Sequence, residues 1–456
     1  MGNKKFDLAI IGAGPGGYIA AIKARQYNLK TALIDKGPLG GTCLNVGCIP
    51  TKTLLAGAEV LHKIRSAMAF GIKVGSIEVD YGAMKNRKDG VVKEIRSSLE
   101  GLLLSNGVEI FKGHAEFLSP HSLKIQGLES IDADHVIIAT GSSPVAIPSL
   151  PCDHKRVLDS TSILELTECP KSLVIIGGGY IGCEFASLFA ELGTKVTIVE
   201  ALPSIVQLQG TDISEHLTKA FKKKGIEILT GVSVEKIDEK VHLSNGQTLE
   251  AEKILIAVGR KMNTEGLHLE RAGLVTNPRG AIEVNAKMET GVPGIYAIGD
   301  VTGKGMLAHV ASHQGMIAAA NIAHENRRID YSAVPAVIFT HPEIATVGLL
   351  KEQAGPTALV GRYPFSHHGK SLASLETEGF VQIVADGRTG RILGAQVVGD
   401  GAANLIAEMT LAIHNELTLE SIFETIHAHP TTAEGWMEAS LIAHGTPFHA
   451  PPKKKK

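Results

Sequence analysis

Cysteine is scarce in this sequence: Cys43, Cys48, Cys152, Cys169 and Cys183 are the five in 456 residues. That is too few to brace a chain of this size in the manner of secreted disulfide frameworks, and it points to a reducing compartment. No second cysteine pair and no adjacent histidine pair accompanies Cys43 and Cys48, so a zinc site does not fit them. No apolar run reaches the ~20 residues that a spanning helix requires, and no apolar leader precedes the strand-like run that starts at Phe6. A cytoplasmic location is therefore expected. Neither sign of charge is in excess: 45 basic residues face 47 acidic ones, a net charge of −2, which gives no electrostatic reason to expect a nucleic-acid partner. The lysines at 453–456, after Pro451 and Pro452, are expected to be solvated and disordered.

Glycine, by contrast, is abundant, with 50 residues against a usual share of ~7%, and it clusters in turns between strands and helices. The length predicts three or four domains of ~100–200 residues. An apolar run at 6–11 leads into Gly12-Ala-Gly14-Pro-Gly-Gly17, an alanine-rich helix at 18–27 and a second strand at 31–35. In this context Gly12 permits the tight turn, Gly14 lets backbone approach a pyrophosphate and Gly17 allows close helix–strand packing. The helix N-terminus supplies unpaired N–H groups to the phosphates. Asp35, eighteen residues beyond Gly17, is placed to bind ribose hydroxyls.

The same logic returns at Gly177-Gly-Gly179-Tyr-Ile-Gly182, with Glu200 again eighteen residues past the last glycine. Two dinucleotide fingerprints in one chain predict two cofactors and electron transfer between them. A carboxylate at Glu200, with no arginine in residues 201–208 to neutralise a 2′-phosphate, favours NAD over NADP. Runs at 136–141 and 254–259 end in the glycine turns of Gly141 and Gly259.

Between the fingerprints lies Gly-Gly-Thr-Cys-Leu-Asn-Val-Gly-Cys-Ile-Pro-Thr-Lys, residues 40–52. With zinc set aside, Cys43 and Cys48 read as a redox pair that opens and closes as a disulfide. A helix is expected to begin near Cys43, where its dipole lowers the thiol pKa, and Pro50 is expected to kink or interrupt it. Helical spacing covers 54–70 and 84–106, and the charges of the second stretch, Lys88 among them, are expected on a solvated face. From about Val334 the pattern changes to alternating runs of an antiparallel sheet with two helices.

The 40–52 segment resembles the redox helix of the flavin-linked disulfide oxidoreductases, and related motifs recur in order from Phe6 to Glu434. Its Cys-Ile-Pro-Thr-Lys most resembles the members that oxidise protein-bound dihydrolipoamide. The resemblance implies an α/β fold with two Rossmann-like domains, one for FAD and one for NAD, and a C-terminal α+β dimerisation domain. The expected boundaries are 1–143 for the FAD domain with the redox pair, 144–263 for the NAD domain, 264–333 for a central domain completing the FAD site, and 334–456 for the dimer interface.

Residue by residue, the resemblance implies Cys43 as the interchange thiol, Cys48 as the thiolate facing the flavin and Lys52 beside the flavin ring. Gly12, Gly14, Gly17, Asp35, Gly141, Asp300 and Ala308 are implied FAD contacts. Gly177, Gly179, Gly182, Glu184, Glu200 and Gly259 belong to the NAD site, with Glu184 pairing with Lys52. Gln314 stands where the family commonly has Glu. His429 and Glu434 match the family's catalytic dyad, which serves the redox pair of the other subunit of a homodimer; Pro430 is expected to begin a helix that sets their geometry. Lipoyl domains of 2-oxo acid dehydrogenase complexes or the glycine-cleavage H protein are the implied partners. No metal is expected, His309 and His313 lacking further ligands. No cysteine follows Cys183, which excludes members carrying an additional C-terminal pair.

Overall fold

The structure is a computed structural model that describes residues 3–451; the lysine tail at 453–456 lies outside the described residues. Two compact units divide the chain. One combines the residues up to Glu168 with Val258–Asp330, and the other Cys169–Ala257 with the chain from Tyr331 onward.

The first unit is built on a seven-stranded sheet in which Lys4–Ile11 lies between Thr31–Asp35 and Ile131–Ile138, all parallel. Glu109–Lys112 extends it in parallel beside Thr31–Asp35, and Ile295–Ala297 pairs in parallel with Ile131–Ile138. The strands Ala115–Ser119 and Ser122–Ile125 add an antiparallel edge. Residues 109–125 are thus divided between a parallel strand and an antiparallel hairpin. The central strand carries Lys4, Lys5 and Asp7 in its first half but is wholly apolar from Leu8 to Ile11, and Leu8, Ala9 and Ile10 are completely buried. Lys88, expected on a solvated face, is instead buried. Its ammonium donates to the Leu164 carbonyl at 2.9 Å and pairs with Asp89 at 2.7 Å, so its charge is compensated where its stem is packed.

The second unit holds a parallel array of Glu227–Thr230, Lys195–Glu200, Ser172–Ile176 and Lys253–Ile256. It also holds the expected antiparallel sheet, which has five strands ordered Ala336–Ile338, Ile344–Gly348, Ile392–Val398, Phe380–Ala385 and Leu359–Pro364. The helices Ala402–His414, Leu419–Phe423 and Glu434–His444 accompany that sheet, and Trp436 is fully buried in its core. Among the described residues no helix is long and apolar enough to cross a membrane.

Candidate functional site

Gly12 turns with φ +108°, and a Cβ there would sit 2.3 Å from the Ala139 carbonyl oxygen. A Cβ on Gly17 would be 1.8 Å from the Gly12 oxygen, so the helix Pro15–Gln26 can start hard against the strand only with glycine at both places. Asp35 closes the cradle: Oδ2 accepts from the Ala13 amide at 2.6 Å and Oδ1 from the Gly37 amide at 2.7 Å. A carboxylate retains further lone pairs for ribose hydroxyls, and the loop has the shape and donors to take a pyrophosphate.

The redox segment packs on this loop. A Cβ at Gly41 would lie 2.7 Å from the Gly14 Cα. The helix Gly41–Val46 is braced by Asn45, whose amide donates to the Leu39 and Gly41 carbonyls at 2.9 Å each. It breaks at Gly47, and a new nineteen-residue helix, Cys48–Ser66, begins at the second cysteine. Pro50 was the expected breaker, but it falls within the first turn of that helix, where an amide hydrogen is not needed. The N-terminal dipole of the long helix is consequently at Cys48 rather than Cys43.

The two cysteine side chains are hydrogen-bonded to each other. That bond, followed by burial, pushes the Cys43 thiol well up from its ordinary range, against a downward pull from the Lys52 ammonium. The expectation of a lowered pKa at Cys43 is therefore not met in this dithiol arrangement. A proton is retained at Cys43, and the position better suited to a thiolate is Cys48.

Asp300 follows Ile295–Ala297 in a 3₁₀ turn and accepts from the Ser142 hydroxyl at 2.5 Å. Ser142 is held in turn by Arg260, through Nε to the hydroxyl at 2.7 Å and a terminal nitrogen to the carbonyl at 2.6 Å. Gly141 (φ +69°) and Gly259 (φ +129°) adopt left-handed turns next to this ribbon, in which Ser142–Pro144 pairs with Arg260–Met262. Ala308 opens the helix Ala308–Ile322. Buried Gln314 accepts from the Gly299 amide at 2.6 Å and donates to the Lys304 carbonyl at 3.3 Å. The second of these bonds requires the amide rather than an ionised glutamate.

In the second unit Gly177 and Gly182 reproduce the first cradle: φ at Gly177 is +109°, and a Cβ on Gly182 would be 2.0 Å from the Gly177 oxygen. Glu200 accepts from the Gly178 amide at 2.6 Å and the Leu202 amide at 2.7 Å. Gly179 precedes the helix Tyr180–Glu191. Glu184, on that helix, is buried, and one carboxylate oxygen accepts from the Phe339 amide at 3.0 Å.

His429 and Glu434 meet as expected, with Nδ1 2.8 Å from Oε1. Pro430 starts no helix; the helix begins at Glu434 itself, and the loop before it is set by the Thr431 amide, which donates to the other Glu434 oxygen at 2.9 Å. Burial disfavours ionisation of Glu434, but the His429 and Thr431 hydrogen bonds outweigh it and hold the carboxyl below its ordinary range. The His429 side chain is 80% exposed, so with Nδ1 engaged, Nε2 is the nitrogen that a thiol can reach. His427, by contrast, is turned inward onto Glu408 at 3.0 Å, and that bond raises its pKa. Sequence reasoning missed Ser142 and Arg260 behind Asp300, and it missed a second pair one helical turn on, in which buried Glu438 meets His449 Nδ1 at 2.7 Å. Only Glu434 and Glu438 at helical spacing hinted at the latter. Among the described residues no group of three or more His, Cys, Asp or Glu side chains is placed to hold a metal ion.

Two nucleotide cradles, a cysteine pair packed on the first of them and a five-stranded antiparallel sheet define a class, and the sequence falls within it. The chain belongs to the pyridine nucleotide-disulphide oxidoreductase family, whose profile matches residues 6–315 and whose dimerisation domain matches residues 334–440. It is 50% identical over 99% of its length to the dihydrolipoyl dehydrogenase of Chlamydia trachomatis, all of which is covered. Among solved structures it is similar to LpdA of Mycobacterium tuberculosis, with a TM-score of 0.90 and 28% identity over 96% of this chain and 99% of that one. The HOCl-induced flavoprotein disulfide reductase RclA of Escherichia coli follows at 0.86 and 30%, over 95% of this chain and 99% of that one.

Proposed function

We propose that the protein oxidises dihydrolipoamide, carried on a partner protein, to lipoamide and reduces NAD⁺ to NADH. The observation that carries this reading is the full-length likeness, at 50% identity, to a dihydrolipoyl dehydrogenase. The residues fit the cofactors. Gly12, Gly14, Gly17, Asp35, Lys52, Gly141, Asp300 and Ala308 would hold FAD. Gly177, Gly179, Gly182, Glu184, Glu200 and Gly259 would hold NAD, the Glu200 carboxylate opposing a 2′-phosphate.

In the reaction His429 Nε2 takes the proton of one substrate thiol, and Glu434 stabilises the imidazolium that forms. The substrate thiolate attacks the Cys43 sulfur of the Cys43–Cys48 disulfide, forming a mixed disulfide and releasing Cys48 as a thiolate at the helix N-terminus. The second substrate sulfur, on losing its proton, displaces Cys43 and closes the lipoyl ring, so that two electrons now reside on the cysteine pair. FAD, when bound, supplies the two-electron carrier between that pair and NAD⁺. The boundaries expected from the sequence, with FAD, NAD, central and interface domains, remain part of this proposal.

A homodimer with sites shared between subunits, acting on lipoyl domains of 2-oxo acid dehydrogenase complexes or on the glycine-cleavage H protein, is the assembly proposed. The matched dimerisation domain supports it. So does Ile426, 97% exposed three residues before His429, an apolar side chain that a subunit contact would cover. His429→Gln should lower NAD-coupled dihydrolipoamide oxidation by about 10²–10⁴-fold while the protein still folds and keeps flavin, and Cys43→Ser should abolish it. Near-normal turnover in either variant would refute the mechanism.

A further inference from the structure

Gly178, inside the second cradle, is gripped by the loop that follows Glu200. Its amide donates to Glu200 Oε2 at 2.6 Å, and its carbonyl accepts from the Val206 amide at 2.8 Å. Ile205 packs so closely that a Cβ on Gly178 would lie 2.7 Å from its Cγ2. Val206 makes its bond with φ +42°, a left-handed backbone that a β-branched residue adopts only at a cost. Such strain persists where the surroundings over-determine it, and it gathers at ligand-binding turns. On one side of Val206 the restraint is Gly178. On the other it is Gln209, whose amide donates to the Val206 carbonyl at 2.9 Å.

Gln209 is in turn fastened to the antiparallel sheet of the same unit. Thr346, Gln396, Gln382 and Arg362 stand directly opposite one another across four neighbouring strands. They form one polar rung on a single face, while their strand neighbours Val347, Val397 and Val381 pack into the core. The Thr346 hydroxyl donates to Gln209 Oε1 at 2.7 Å, and Gln396 Nε2 donates to the Gln209 carbonyl at 2.9 Å. Gln382 orients Gln396 by donating to its Oε1 at 2.6 Å, and it reaches Asp212 Oδ2 at 3.3 Å. Arg362 lies 3.5 Å from the other Asp212 oxygen. Gln382 and Gln396 are each only 2% exposed. Buried amides are costly unless paired, and residues 209–212 supply their partners.

We propose that Gln209 is a positioning residue for coenzyme binding: held to the polar rung by Thr346 and Gln396, it sets the strained turn at Val206, and that turn sets Gly178 and Glu200 for the adenosine half of NAD. This rests on the NAD reading above. It makes coenzyme affinity depend on a sheet hydroxyl that is three hydrogen bonds away from the cradle.

The test uses the full-length, flavin-loaded protein. Thr346→Val keeps the outline of the side chain and removes its donor, and Thr346→Ser keeps the donor. Dihydrolipoamide oxidation is measured with each substrate varied in turn, and reduction of the protein by dihydrolipoamide without coenzyme is followed anaerobically. Flavin content and thermal midpoint check folding. Thr346→Val should raise the KM for NAD⁺ by about three- to tenfold. Its kcat, its KM for dihydrolipoamide and its coenzyme-free reduction should stay unchanged, and Thr346→Ser should match the wild type throughout. Gln209→Met removes the acceptor from the loop side and should raise the KM for NAD⁺ to a similar degree. The double variant should be no worse than the poorer single, because both changes break one bond. If Thr346→Val fails to fold, Gln209→Met decides the matter. An unchanged KM for NAD⁺ in a folded variant, a Ser variant as impaired as Val, or an equal rise in the KM for dihydrolipoamide would overturn the positioning role alone. A wild-type protein that prefers NADP⁺ to NAD⁺ would overturn the NAD reading and this role with it.

Discussion

The loops at Gly12 and Gly177 turn with φ of +108° and +109°, and each is closed by a carboxylate, 22 residues beyond its bonded amide, at 2.6 Å. What surrounds them differs. Gly41 of the redox helix lies against Gly14, and a Cβ on Gly16 would meet the Ala311 carbonyl of the helix Ala308–Ile322 at 2.9 Å. The first cradle is thus walled in by two further segments of its own unit. At Gly179 of the second, a Cβ would meet nothing within 4 Å, and neighbouring Tyr180 is 42% exposed. A walled cradle suits a cofactor that stays through many turnovers, whereas an open one suits a coenzyme that leaves after each. On the proposed reading one backbone solution serves two kinetic roles, and the difference comes from what packs over it.

The strongest way to break this comparison is to fill each cradle with the same atoms. Gly17→Val should cost the protein its flavin, and much of its stability, since the added carbon overlaps the Gly12 oxygen. Gly182→Val, whose added carbon overlaps the Gly177 oxygen in the same way, should also cost stability but leave the protein yellow, with NADH formation lowered by at least about a hundredfold. Absorption spectra of the purified variants, followed by turnover, decide it; loss of flavin from both, or from neither, would remove the distinction between the loops.

A smaller effect is expected at Glu200. Glu200→Gln keeps much of the shape and removes the charge, so kcat/KM for NAD⁺ should fall and that for NADP⁺ rise, changing their ratio by about tenfold, or ~1.4 kcal/mol. An unchanged ratio would mean that another group discriminates between the coenzymes. The smallest effect belongs to Ser142→Ala, which strips a hydrogen bond from Asp300 and from Arg260. Flavin dissociation measured in denaturant should become easier by ~1–3 kcal/mol, with no change in the KM for NAD⁺.

Much of this was legible in the sequence because it was local. The glycine spacings, the acidic strand ends at Asp35 and Glu200, the cysteine segment and the His429–Glu434 spacing each report on a single turn or helix, and the structure forms each of those elements. Legibility failed where distant segments decide the outcome. Lys88 reads as a surface lysine until the Leu164 carbonyl is placed against it. Pro50 reads as a breaker until Gly47 takes that role and leaves it in a first turn. Asp300 was visible, but Ser142 behind it lies 158 residues away and Arg260 lies 118 residues from Ser142, separations that no periodicity encodes.

The central claim is that the Cys43–Cys48 pair joins a dithiol substrate to NAD⁺. It is tested most directly by assaying one flavin-loaded preparation in two ways, for dihydrolipoamide oxidation with NAD⁺ and for glutathione disulfide reduction with NADPH. Rapid NADH formation beside an inert glutathione reaction is the predicted result. NADPH-driven reduction of glutathione disulfide without dihydrolipoamide oxidation would contradict it and reverse the reading of Glu200.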